Sequence, residues 1–324
     1  MPRFRPQSST SDDPTDKYAQ YDTDDDSDRR TRRTRPIDRS GPRVAEIGRS
    51  GRRQVEVDEE APDPRSVPST GDISYSTYDV AAHGPEPAPD WLVTALSAVD
   101  TRLGALKSGK EADVALLERA LPGGPGCLLA VKTYRDSAHR MFHRDAGYQE
   151  GRRTRRSRET RAMANRTRFG RELLSGQWAG AEFAALSRLW QEGAPVPYPV
   201  QLIGSELMME FIGDPDGTAA PRLAAWDGDP ADAGELYHDL VGTLSLLAEL
   251  GLTHGDLSPY NVLVHEERCV LIDLPQVVDV IANPQGPTYL ERDCRRITDF
   301  FARRGVQAAD ADLLTAHLAG LAMR

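Results

Sequence analysis

Cysteine is scarce in this chain. Cys127, Cys269 and Cys294 are the three present, in no spacing that binds a metal, and their sparsity fits a reducing cytoplasm. The seven histidines form no ligand pair. No run of about 18 apolar residues occurs, which argues against a membrane-spanning helix, and the opening Met1-Pro2-Arg3 starts no signal peptide. A cytoplasmic protein without membrane contact is therefore expected. Net positive charge is lacking as well: the formal charge is −10 and the pI about 5.3, so no global pull toward nucleic acid exists. Large apolar side chains are few across residues 1–88, where Asp, Arg, Ser, Thr and Pro dominate. The acidic run Asp22–Asp28 abuts the basic run Arg29–Arg33. Such a segment buries too little apolar surface to offset its ordering entropy, so 1–88 is expected to be a disordered tail. Residues 89–324 are expected to form one two-lobed domain, divided near 212/213.

What is present is a chemically specific pattern. His254-Gly255-Asp256-Leu257-Ser258-Pro259-Tyr260-Asn261 precedes Val270-Leu271-Ile272-Asp273-Leu274-Pro275-Gln276. Asn261–Val264 and Cys269–Ile272 read as two strands of a hairpin, with a polar turn between them. That hairpin puts Asn261 and Asp273 near one end, close enough to share a cation. Mg²⁺ takes hard oxygen ligands and few protein carboxylates when phosphates supply the rest. Asp256 falls on the loop before the first strand. In phosphoryl transfer this order serves one Asp that positions a hydroxyl, then an Asn and a second Asp that hold the metal. An Asp after Val-Leu-Ile is also costly to bury unless a cation or donors satisfy it.

A basic counterpart lies upstream. Leu128–Tyr134 is an apolar strand containing Lys132, and lysine is rarely buried without a partner. Glu182 is the candidate partner, on an amphipathic helix marked by Trp178, Phe183, Leu186, Leu189 and Trp190. Gly104–Val114 is a candidate phosphate-covering loop: Gly109 permits close backbone approach, and Ser108 and Lys110 supply donors. It contains only two glycines, and Gly123–Gly126 reads as a plain turn. Glu206–Gly213 is a short apolar strand ending in glycine, where Met209 would flank an adenine and the backbones of Glu210 and Ile212 would contact it. Taken alone, Glu182 also fits a solvated glutamate, and 206–213 an ordinary core strand. Leu236, Leu240, Leu244 and Leu247 recur at helical spacing, with Gly251 as the cap.

These motifs, together with Ser108–Val114, Trp178–Glu182 and Tyr289–Phe301, resemble the RIO family of atypical serine/threonine protein kinases over roughly residues 92–321. The loop departs from the family's Ser-Thr-Gly at Lys107-Ser108-Gly109. The resemblance implies an α+β, bilobal protein-kinase-like fold, with a β-rich N-lobe carrying one helix and a mainly helical C-lobe. Like the family, the chain lacks Asp-Phe-Gly, an activation segment and a peptide-docking region. The resemblance further implies ATP with Mg²⁺ (or Mn²⁺). Asp256 becomes the proton acceptor and Asn261 and Asp273 the metal ligands, with Asp273 also a candidate for an aspartyl-phosphate in an ATPase cycle. Lys132, Glu182, Ser108, Gly109, Val114, Met209, Glu210 and Ile212 fall around the nucleotide.

Two alternatives stand beside a protein kinase of unknown protein substrate. His-Gly-Asp-Leu with an Asn five positions after the Asp also resembles small-molecule phosphotransferases of the aminoglycoside-kinase type. A nucleotide-switched scaffold on RNA or the ribosome is the other, through the arginines crowded into 152–171. Few aromatics interleave there for base stacking, and Thr154, Ser157, Thr160 and Thr167 are candidate autophosphorylation sites.

Overall fold

The computed structural model describes residues 72–135 and 168–324. Residues 1–71 lie outside the described residues, as do the four candidate phosphorylation sites and all of the Arg-rich segment before Arg168.

A seven-stranded antiparallel sheet forms the N-terminal lobe. Its strands are β1 (Ile73–Tyr75), β2 (Ala82–His83), β3 (Val99–Ser108), β4 (Ala112–Ala120), β5 (Gly126–Tyr134), β6 (Pro199–Ile203) and β7 (Glu206–Glu210), in the order β1-β3-β4-β5-β7-β6-β2. Helix α1 (Arg168–Gln191) packs on β5, β6 and β7. β1 and β2 move the expected tail boundary upstream: Ile73–Tyr75 and Ala82–His83 are strands of the sheet. β1 pairs with Val99–Thr101 and β2 with Gln201–Leu202, while Tyr78 between them is buried with Leu117, Leu129 and Tyr198. Strands this short are held by their neighbours' backbone groups, so their own side chains carry little pattern; all three of β1 are exposed.

The C-terminal lobe holds α2 (Pro230–Glu249), α3 (Gly286–Ala302) and α4 (Ala311–Ala322), with the paired strands β8 (Leu252–Thr253) and β11 (Val278–Asp279) and the hairpin β9 (Val262–His265)–β10 (Arg268–Leu271). Asp229 caps α2 by accepting the Ala231 N–H at 2.8 Å, and Pro230 stands where the missing N–H costs nothing. The four leucines singled out by spacing are all buried, each contributing roughly 1.5–3 kcal/mol relative to exposure. Gly251 ends the helix at φ +74°, a conformation cheap only for glycine. The segment Tyr289–Phe301 lies within α3, which runs from Gly286 to Ala302, and α4 follows it, packed on α2 and α3.

One apolar cluster runs from Leu186 and Leu189 of α1 through Leu207 and Met209 of β7 to α2, α3 and α4. Packed interiors are stiff, so α1 is registered against the loops of the C-terminal lobe. The expected α+β, two-lobed architecture is present.

Candidate active site

Lys132 is the point where the two lobes meet. β5 lies between β4 and β7, with Lys132 opposite Val114 and Leu207, so its stem is covered on both sides. Its Nζ lies 2.8 Å from Glu182 Oε1 and 2.7 Å from Asp273 Oδ1. Burial alone would lower the Lys132 pKa, but the Glu182 and Asp273 carboxylates outweigh it and hold the ammonium above the usual lysine range. Glu182 is 1% exposed and fully engaged. Besides Lys132 it accepts the Tyr134 hydroxyl at 2.5 Å and the Leu274 N–H at 3.2 Å. The Tyr134 hydroxyl is pushed well above its ordinary range by burial and by Glu182. The open choice at Glu182 thus resolves against a solvated surface residue.

Asp273 follows β10 at φ +65°, a left-handed conformation that Asp tolerates better than most residues and that concentrates at functional sites. Burial would raise its pKa, yet the Lys132 ammonium holds it below the usual carboxylate value. The expected hairpin is present, with a two-residue turn at Glu266 and Glu267. The Asn261 carbonyl accepts the Ile272 N–H at 3.0 Å, which sets Asn261 beside Asp273. The Asn261 amide donates to the Asp256 carbonyl at 2.9 Å. With its nitrogen so committed, its oxygen is the end free to face a cation. That donor set fits Mg²⁺: one amide oxygen and one carboxylate leave most of an octahedron to phosphate oxygens and water. Among the described residues, no group of three or more His, Cys, Asp and Glu side chains is placed to hold a metal by itself.

Asp256 presents a half-exposed carboxylate, and its Oδ1 accepts from Arg296 Nη1 at 2.9 Å. The loop carrying it is fixed from beneath. Buried Asp293 of α3 accepts the Thr253 hydroxyl (3.0 Å) and the Gly255 N–H (2.7 Å) on one oxygen, and the Leu257 N–H (3.0 Å) on the other. Burial nonetheless leaves the Asp293 carboxyl above its ordinary pKa. His254, fully buried, bridges the Ile272 carbonyl at 3.1 Å and the Asp256 N–H at 3.4 Å, and so shapes the loop. Gly255 sits at φ +82°, and a Cβ there would lie 2.0 Å from the Gln276 carbonyl oxygen. Only glycine fits between the two motifs.

Lys132, Glu182, Asp273, Asn261 and Asp256 therefore converge, with Val114 beside the lysine. Met209 and Glu210 pair with Ala130 and Leu129. The Ile212 carbonyl already accepts the Ala220 N–H at 3.0 Å. Gly109 forms the β3–β4 turn, its N–H donating to Ala112 O at 3.0 Å. Ser108 differs from expectation. Its hydroxyl donates to Asp113 at 2.7 Å and accepts from Arg135 at 2.9 Å, because that ion pair closes the hairpin from the side. The charges this hairpin brings to the centre are Lys107, lowered by partial burial and by Arg222, and Glu111, raised by burial and by Asp273 and Asp256. The sequence motifs contain these residues, with Asp293 and Arg296, but assign none of them a role. Asp293 alone leaves a trace, on the stripe of Leu290, Cys294 and Ile297 that faces the core.

A family model for the RIO domain matches residues 126–314. The RIO-type serine/threonine-protein kinase Rio1 of Haloferax volcanii is 34% identical over 223 residues, covering 68% of this chain and 70% of that one. Serine/threonine-protein kinase rio1 of Dictyostelium discoideum is 38% identical over 130 residues, 40% of this chain and 22% of its own length. The Saccharomyces cerevisiae RIO1 kinase is 33% identical over 132 residues, 40% of this chain and 27% of its own. The chain thus spans about a quarter of these two eukaryotic relatives. A crystal structure of the Rio2 kinase from Chaetomium thermophilum aligns over 68% of this chain and 67% of that chain, at 24% identity and a TM-score of 0.47. With the family model matching more than half of its length and the archaeal relative covered over two thirds of its own, this chain belongs to the RIO domain family.

Proposed function

We propose that this chain transfers the γ-phosphoryl group of ATP, with a divalent cation, to serine or threonine hydroxyls of a protein, itself included. The observation that carries the reading is the buried Lys132, shared between Glu182 and Asp273 next to the half-exposed Asp256. The names of the relatives, serine/threonine-protein kinases, agree with it.

Each residue has a role that its surroundings support. Lys132 exchanges Asp273 for the α- and β-phosphates while Glu182 keeps it in place. Asn261 and Asp273 are the candidate ligands of the cation, which when bound neutralises charge on the phosphates. Met209 flanks the adenine, the Glu210 backbone faces it, and the Ile212 N–H is the donor left to meet it, since the carbonyl is taken. Asp256 orients the acceptor hydroxyl and takes its proton. The acceptor oxygen bonds to the γ-phosphorus, the bond from that phosphorus to the β–γ bridging oxygen breaks, and ADP leaves. A second route has support in Asp273 itself, an ionised carboxylate 37% exposed: it could take the phosphoryl group and lose it to water, giving net ATP hydrolysis.

Purified wild type, Asp256→Asn and Asp273→Asn incubated with ATP labelled in the γ-phosphate distinguish these outcomes. Alkali-stable label on Ser or Thr, lowered by orders of magnitude in Asp256→Asn with nucleotide affinity little changed, is the expected result. Hydroxylamine-labile label lost in Asp273→Asn indicates the aspartyl-phosphate route. Equal labelling of wild type and Asp256→Asn would refute the role of Asp256.

A further inference from the structure

The acceptor side of the site is built from arginines of α3. Arg292 and Arg296 stand one helical turn apart and face the Asp256 loop. Arg296 Nη1 donates to Asp256 Oδ1 at 2.9 Å and reaches the Leu257 carbonyl at 3.4 Å. Arg292 donates to the Gly255 carbonyl, lies 4.0 Å from Asp293 and stacks over the Tyr289 ring at 4.9 Å. Its Nε is buried with no partner among the described residues. Neighbouring Arg295 is neutralised by Glu291 at 2.5 Å. Glu111 and Lys107 approach the same centre from the β3–β4 hairpin, while Arg296 is the guanidinium of α3 that stands on Asp256.

A hydroxyl must reach Asp256 through solvent, since that carboxylate is 40% exposed, and Arg296, 39% exposed, stands on it. An approaching neutral peptide competes with the guanidinium for Asp256 and offers Arg296 nothing in return. A basic residue beside the acceptor likewise offers the Arg296 guanidinium no partner. A peptide with an anion beside its Ser or Thr gives Arg296 a second partner, and a guanidinium has five donors in a fork that suits carboxylate or phosphate. The anion then draws Arg296 off Asp256 as the hydroxyl arrives. A residue of extended chain spans about 3.3–3.6 Å, so the anion belongs one or two residues from the acceptor.

We propose that Arg296 is a specificity-determining residue that selects protein acceptors with a carboxylate or phosphate one or two residues from the target hydroxyl. This rests on the kinase reading above. The test compares kcat/KM of the full chain on four peptides that differ only beside a single serine: Asp-flanked, phosphoserine-flanked, Asn-flanked and Lys-flanked. The same peptides are given to Arg296→Gln and Arg296→Lys.

Wild type is expected to favour the anionic peptides over the Asn peptide by about tenfold, the effect of one charge-assisted contact. The preference should shrink at high salt, fall to within about twofold in Arg296→Gln and return in part in Arg296→Lys. A loss of folding in the variant cannot imitate a changed ratio, and the wild-type ratio needs no variant. The Asp and phosphoserine arms separate the two sources of negative charge. Equal rates on all four peptides, or label on the chain itself and on no peptide, overturn the acidic selection and leave the kinase reading standing. Absence of phosphoryl transfer to any hydroxyl, the chain's own included, overturns both.

Discussion

Glu182 shows how much a single side chain carries here. It is buried, charged and shared among an ammonium, a phenol and a backbone amide, so removing one partner leaves it short of donors in a low-dielectric site. Lys132→Met is expected to lower stability by about 3 kcal/mol, read as a shift in the urea midpoint at unchanged slope, in addition to abolishing transfer. The pH dependence at this centre has a definite sign. The Lys132 pKa is raised, so its contribution is complete below the ordinary lysine value of about 10.4 and fades only as pH rises through the higher folded value. The Asp273 pKa is depressed. Its contribution is complete above about 3.9 and is lost as pH falls through the folded value. Denaturant titrations between pH 3 and 6 should therefore show the stability gap between wild type and Asp273→Asn closing toward the acid end; a gap independent of pH would contradict the ion pair. Lys132, Glu182, Asp256, Asn261 and Asp273 were legible in the sequence because each interrupts an apolar run or sits at a spacing that chemistry requires. Arg296, Lys107 and Glu111 were not. Each is an ordinary charge among charges until the fold brings a distant element to it.

Helix α3 is the element that fixes the Asp256 loop. Three backbone or hydroxyl donors of residues 253–257 end on Asp293. Asp293→Asn keeps the size but turns one accepting oxygen into a donor facing an N–H. A buried donor left without an acceptor costs about 1–3 kcal/mol, so a loss of about 2 kcal/mol in thermal or chemical unfolding is expected. Turnover should fall further than nucleotide affinity, because the disturbed loop carries Asp256 and not the nucleotide contacts. Among elements, α2 was readable from its leucines and the β9–β10 hairpin from its two apolar runs. Asp293 was masked by its charged neighbours Glu291, Arg292, Arg295 and Arg296, which hide the apolar stripe it interrupts. β1 and β2 gave no pattern because their pairing partners, not their side chains, hold them.

At the scale of the molecule, the described residues belong to one compact unit, and β1 and β2, from the segment whose composition reads as tail, form the two edges of its sheet. A chain beginning at residue 89 loses β1, β2 and the buried Tyr78, with the edge pairing of β3 and β6. It is expected to melt several degrees below a chain beginning at residue 62, since roughly 2 kcal/mol or more of apolar burial goes with Tyr78. Equal melting temperatures would place the true boundary later. The composition of residues 1–88 concealed this boundary because a long polar stretch averages out the two short strands near its end.

If Lys132 meets the phosphates and Asp273 the cation, as proposed, the contact between them also bears on the order in which ligands load. While the ammonium holds that carboxylate, a divalent cation arriving alone must compete with a charge already in place. Under the roles proposed above, phosphates engaging Lys132 would release the carboxylate with its charge unbalanced, and its attraction for the cation would rise. The two ligands are then thermodynamically coupled, and the coupling is reciprocal: whatever factor nucleotide adds to cation affinity, the cation adds to nucleotide affinity. The resting ion pair is in this sense an interlock that disfavours half-loaded states.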